Sequence, residues 1–320
     1  MGQLVDGTWQ RVAPAAARGT FERPSASGRF ERSTTQFRGQ ALEPEVGRYH
    51  LYASYACPWA HRVLITRALR GLTGVIGVTI VDPLMGDDGW AFRPEDPDRL
   101  GAAGFLHEVY TRADPRHTGR VTVPVLWDTV ASTIVNNESR ELMLLLDRDL
   151  APLAAEPAIE TLYPEALRPA IETTLDAIYQ PINNGVYRAG FASQQAVYEE
   201  AVVEVFAALA HWDGVLGRQP YVCGDVLTAA DIALFTTLLR FEPVYHYHFK
   251  CNLRRLRDHP HLWRFTRALA RHPAIAPTCH LDHIKAHYYG SHPQINPTRI
   301  VPLGPILDED DSGAAPDRGS

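Results

Sequence analysis

Residues 52–62, YASYACPWAHR, put a single cysteine directly before a proline and a tryptophan, where the chain changes from a strand-like to a helix-like pattern. Upstream, Tyr49, Leu51 and Ala53 alternate with the other face and predict a strand. Downstream, Pro58 suits the first turn of a helix, where its missing N–H has no partner to lose. Val63, Ala68 and Leu72, with Leu64 and Ile65 beside them, then lie on one apolar stripe. Most unpaired cysteines are small buried apolar residues. Cys57 differs because a strand-to-helix junction offers unpaired N–H groups and the positive end of the helix dipole, which favour a thiolate. We read Cys57 as a nucleophile, and Cys223, Cys251 and Cys279, which have no such setting, as structural.

Working outward from this junction, GVIGVTIVDP, VTVPVLWD and STIV read as further strands, and NNESRELMLLLDRDL as a helix. Strand, helix, strand, insert, strand, strand, helix is the order of a thioredoxin-like α/β domain. Beyond the Pro-rich hinge APLAAEPAIETLYPEALRP, helical periods dominate. Val197, Ala201, Val205, Leu209, Trp212 and Leu216 recur every three or four residues, and Thr228 with Asp231 makes a capping-box-like start. The expected fold is α/β followed by all-α: an extended arm over 1–45, a thioredoxin-like domain over 46–150, a linker over 151–163, an all-helical domain over 164–290 and an irregular, finally acidic tail over 291–320.

The totals narrow the function classes. A chain of 320 residues with 45% apolar and 21% charged residues has globular composition. A net charge of −6 gives no general attraction for nucleic acid or anionic membranes. The chain shows neither a signal-peptide pattern nor a membrane-spanning run, so a cytoplasmic protein is expected. Four scattered cysteines without a C-x-x-C pair suggest neither a disulfide framework nor a zinc ribbon. His280, His283 and His287 could share a helical face, but no hydrolytic base accompanies them, and no metal is expected.

Ala60 occupies the C-x-x-C position, so Cys57 cannot resolve its own mixed disulfide and needs an external thiol. The commonest intracellular one is glutathione, whose carboxylates and ammonium require local partners. Val123–Pro124 is a Val-Pro step between β-branched residues, of the kind that leaves a backbone edge free for an extended peptide. Glu138 and Ser139 open a helix and offer a carboxylate, a hydroxyl and N–H groups; simple capping is the competing explanation.

SYACPWAHR, WAFRP, RVTVPVLWD, IVNNES, NNGVYRAGF, RFEPVYHYHFKCN and DHIKAHYYGSHPQINPTRIVPLGP, in this order, resemble the glutathionyl-hydroquinone reductases, the xi class of glutathione transferases. The resemblance implies glutathione-dependent reduction of S-glutathionyl-hydroquinones to hydroquinones, with release of oxidised glutathione and glutathione as co-substrate. It implies Cys57 as nucleophile, Trp90, Arg120, Val123, Glu138 and Ser139 as glutathione contacts, and Tyr187, Tyr245 and Tyr288 at the aromatic substrate. Tyr187 is assigned the proton transfer, since loss of the aryl carbon requires an enolate to be stabilised and protonated. Tyr289, adjacent to Tyr288, points elsewhere on a helix. Asn136 departs from the family's usual Ser at a position without an assigned role. Two other readings stay open here: an omega-type thioltransferase or dehydroascorbate reductase, and a non-catalytic glutathione- or aromatic-binding module. A homodimer is expected by analogy with other proteins of the transferase fold.

Overall fold

The computed structural model describes residues 2–11, 28–30, 34–101 and 103–305. The remainder of the arm and the acidic DEDD of the tail lie outside the described residues. The chain begins not as an irregular arm but with a hairpin, β1 (Gly2–Val5) paired antiparallel to β2 (Thr8–Arg11). Asp6 and Gly7 form the turn with φ of 48° and 74°, the left-handed conformation that a two-residue Asp-Gly hairpin requires. Leu4 exchanges two 2.9 Å backbone hydrogen bonds with Gly119, and Arg11 grips Asp88 through two 2.7 Å bonds, so the hairpin is fastened to the first domain.

That domain is built on β3 (Tyr49–Ala53), α1 (Pro58–Leu69), β4 (Gly77–Ile80), α2 (Leu106–Ala113), β5 (Val125–Asp128), β6 (Thr133–Asn136) and α3 (Ser139–Arg148). The sheet order is β4-β3-β5-β6, with β3 parallel to β4 and antiparallel to β5, and β5 antiparallel to β6. β3 and β5 are buried along their whole length. α1 is expected to present one apolar stripe, yet it buries Pro58, Ala60, His61, Arg62, Val63, Leu64, Ile65, Thr66 and Leu69. It lies between the sheet and α3 on one side and the helical domain on the other, which explains burial almost all round.

The second domain contains α4 (Arg168–Ile178), α5 (Gly185–Gly190), α6 (Gln195–Leu216), α7 (Ala229–Leu238), α8 (Pro260–Ala270) and α9 (Leu281–Ser291). Two π-helical turns, Tyr179–Asn183 and Phe241–Tyr245, interrupt it. On α6 the stripe from Ala201 to Leu216 is buried, while Val197 lies half-exposed near the helix start. α7 passes through the core with every residue buried. No helix among the described residues is long and apolar enough to cross a membrane.

α7 opens with the capping box read from the sequence. The buried Asp231 carboxylate accepts the Thr228 N–H at 2.9 Å, the Thr228 hydroxyl at 2.7 Å and the Val222 N–H at 2.8 Å. Burial pushes this carboxyl up to about 6 despite those donors. Asp231→Ala strands two buried N–H groups and is expected to cost about 3 kcal/mol by urea denaturation. A loss below about 0.5 kcal/mol would show that the box is dispensable.

Candidate active site

Cys57 is the N-cap of α1, with extended backbone (φ −78°, ψ 121°), and Pro58 occupies the first helical position. Its sulfur is half-buried and donates to the Val123 carbonyl at 3.6 Å. Val123 precedes Pro124 through a cis peptide bond, and its N–H has no hydrogen-bond partner among the described residues. The thiol therefore faces a stretch of backbone with unused hydrogen-bonding capacity.

Behind the cysteine loop lies Arg240, fully buried at the junction of α7 and the π-turn Phe241–Tyr245. Its guanidinium donates to the carbonyls of Ala56 and Tyr55, each at 2.8 Å, and to Thr236 at 2.6 Å. A fourth bond, 3.2 Å, reaches His61 Nδ1. That contact makes Nδ1 the acceptor, so the Nε2–H of His61 faces the Thr278 hydroxyl at 2.8 Å, which in turn donates to the Ile275 carbonyl at 2.6 Å. Every bond in this chain has a matching donor and acceptor.

Two cavities share Trp59, Arg120, Thr122 and Val123, and Cys57 opens into the first of them. One, of about 820 Å³, is lined by Cys57, Trp59, Trp90, Tyr187, His287 and Tyr288, among others. Tyr187 and Tyr288 stand in its aromatic wall, with Tyr245 behind them: Tyr187 Oη lies 2.5 Å from Tyr288 Oη, which lies 3.1 Å from Tyr245 Oη. Tyr245 is fully buried and does not line this cavity; it packs behind both Tyr187, with ring centroids 6.0 Å apart, and Tyr288. Burial raises the Tyr245 and Tyr288 hydroxyls well above the ordinary phenol value, which keeps both protonated. Tyr289 turns away, donating to the Pro243 carbonyl at 3.1 Å.

The second cavity, of about 1030 Å³, is lined by Arg120, Val123, Pro124, Glu138 and Ser139, together with Thr35 and Gln36. Glu138 caps α3 by accepting the Arg140 N–H at 3.3 Å, and its other oxygen takes the Thr35 hydroxyl at 3.2 Å. Capping and exposure to the cavity thus coexist on one carboxylate. Of the expected site residues, all but Tyr245 line one or both cavities. The residues that sequence reasoning missed are Arg240, His61, Thr35, Gln36 and the hairpin's Trp9, which reaches the aromatic cavity. A cation inside the apolar run ALFTTLLRF was a usable signal for Arg240, as Asp6–Gly7 was for the hairpin. Among the described residues no group of three His, Cys, Asp or Glu is placed to hold a metal ion.

Comparison with known proteins places this geometry in context. Residues 56–149 match the family of glutathione S-transferase N-terminal domains, and residues 195–268 match the C-terminal domains. The glutathionyl-hydroquinone reductase PcpF of Sphingobium chlorophenolicum is 49% identical over 95% of this chain and 96% of its own. The Escherichia coli glutathionyl-hydroquinone reductase YqjG is 44% identical over 97% of each chain, and its glutathione-bound structure superposes with a TM-score of 0.84. A xi-class glutathione S-transferase from Natrialba magadii, 50% identical, superposes with a TM-score of 0.88 over 96% of this chain and 94% of that one.

Buried histidines give the fold a pH signature. Desolvation pushes His50 and His287 down to about 4 and His248 to about 3, from an ordinary 6.5. The folded state holds them neutral while the unfolded chain protonates them, so their stabilisation is complete above about pH 6.5 and is lost as pH falls toward 4. Each contributes on the order of 1.4 kcal/mol per pH unit in that window. Asp231, raised from 3.8 to about 6, works in the opposite direction over part of it, as one group against these three and against His61 and His292, which burial also lowers well below their ordinary value. Unfolding free energy is therefore expected to be level from about pH 8 to pH 6.5 and several kcal/mol lower at about pH 5. A level profile down to pH 5 would contradict the neutral assignment.

Proposed function

This chain belongs to the glutathionyl-hydroquinone reductases, the xi class of glutathione S-transferases, and we propose how its own residues carry that reaction. It reduces S-glutathionyl-hydroquinones to hydroquinones and releases oxidised glutathione. In our reading glutathione lies along the groove of Val123 and Pro124. Its peptide backbone pairs with Val123, its ammonium meets Glu138, and its carboxylates meet Ser139 with the α3 N-terminus and Arg120 with Trp90.

The bond to be broken joins sulfur to an aromatic carbon, which is a poor leaving group. When the hydroquinone tautomerises, a hydroxyl proton moves to that carbon, and sulfur then sits on an sp³ centre next to a carbonyl. Cys57 thiolate attacks the glutathionyl sulfur. An S–S bond forms, the S–C bond breaks, and its electron pair flows into the ring to give an enolate that takes up a proton as free hydroquinone. Tyr187 is the donor at that oxygen, held by Tyr288, with Tyr245 behind fixing Tyr288. A second glutathione, as thiolate, attacks the glutathione sulfur of the mixed disulfide, releasing oxidised glutathione and restoring Cys57. One glutathione is thus consumed for each hydroquinone freed.

The observation that supports this most is that Cys57 and the hydrogen-bonded Tyr187–Tyr288 pair face one cavity. We further propose a homodimer in the reducing cytoplasm; the second point is supported by four free cysteines. Cys57→Ser is expected to lower turnover of a glutathionyl-hydroquinone by roughly a thousandfold or more, and intact-mass analysis of the wild type should show one glutathione on Cys57 during single turnover. Tyr187→Phe should lower kcat by about a hundredfold with a smaller effect on KM. Full activity of Cys57→Ser would end the proposal.

A further inference from the structure

Arg240 is a buried cation with no carboxylate partner among the described residues. Burying a guanidinium costs several kcal/mol unless its donors are satisfied. Here three carbonyls and an imidazole nitrogen satisfy them, and two of those carbonyls, of Tyr55 and Ala56, immediately precede Cys57. The grip spans both domains, because Arg240 lies between α7 and the π-turn while Tyr55 and Ala56 lead into α1.

The backbone of the same residue leads to the phenols. The Arg240 carbonyl accepts the N–H of Val244 at 3.0 Å and of Tyr245 at 3.1 Å. Tyr245 then bonds Tyr288, and Tyr288 bonds Tyr187. One residue therefore fixes the loop carrying the thiol and the turn carrying the innermost phenol. Its charge also favours the ionised form of Tyr245 and Tyr288, opposing the burial that keeps them protonated.

We propose that Arg240 is a positioning residue of the reductase: it sets the distance between the Cys57 sulfur and the tyrosine cluster by holding the Tyr55 and Ala56 carbonyls from the helical domain. It touches neither substrate nor glutathione, so it acts on the chemical steps rather than on co-substrate affinity. This inference rests on Cys57 as nucleophile and on Tyr187 as proton donor.

Arg240→Lys retains the charge but cannot hold both carbonyls with a planar fork. Arg240→Met removes both charge and fork. For protein shown to be folded by circular dichroism, the lysine variant is expected to keep the glutathione KM within about twofold while kcat falls about tenfold. Alkylation of Cys57 by iodoacetamide, measured without any hydroquinone, should slow by about threefold or more. The methionine variant should lose more on both readouts, so that lysine counts as a partial rescue. If the methionine variant does not fold, the lysine variant decides alone.

Wild-type kcat and alkylation in a folded lysine variant would overturn the proposal, as would a raised KM with unchanged kcat. The alkylation readout separates this idea from the assigned reaction. A wild-type protein that alkylates rapidly but cannot turn over glutathionyl-hydroquinone would refute the reaction, and the Arg240 comparison would still stand on its alkylation rates.

Discussion

A guanidinium with no exposed surface, inserted from the helical domain into the turn before Cys57, is the constraint around which this molecule is arranged. A charge is tolerable there only if its donors meet acceptors, and the acceptors come from both domains. The carbonyls of Tyr55 and Ala56 belong to the β3–α1 connection, and that of Thr236 to α7. The cation can be satisfied only when α1 is docked against α7. Docking in turn buries α1 on two faces and brings Cys57 to the wall of the aromatic cavity, beside the Val123 that both cavities share. The catalytic geometry and the domain interface are one arrangement of hydrogen bonds.

The two cavities divide the chemistry. Along Val123 and Glu138, backbone and charged groups suit a peptide-like thiol whose ends are ionic. In the neighbouring cavity, Tyr187 and Tyr288 offer flat apolar surface and phenol donors to an aromatic ring. A sulfur joining a peptide to a ring has to lie where these surfaces meet, at the shared Val123, whose carbonyl is 3.6 Å from the Cys57 sulfur. Burial keeps the inner phenols of Tyr245 and Tyr288 protonated, so both remain hydrogen-bond donors within the chain that ends on Tyr187.

Most of this was legible in the sequence wherever the signal was local. Cys57 at a helix start, Pro58 after it, the Val123–Pro124 step and the Thr228–Asp231 box each depend on neighbours within a few residues. The β1–β2 hairpin was equally local, signalled by Asp6–Gly7, and went unread because its strands are only four residues long and barely alternate. Arg240 was not legible as a site residue, since its partners lie 184 and 185 positions away and are carbonyls, which carry no side-chain signature. Thr35 and Gln36 join the groove through a fold of the arm that no periodicity announces. Tyr245 was found by resemblance, but its place behind Tyr288 emerged only with the packing of α9 against the π-turn.

The account stands on a covalent Cys57–glutathione intermediate formed before the second glutathione binds. Initial rates measured over a grid of glutathione and glutathionyl-hydroquinone concentrations test that order directly. Parallel lines in double-reciprocal plots are expected, since the first product leaves before the second thiol arrives. Lines that intersect would mean that both substrates must be bound together before chemistry, and would contradict it.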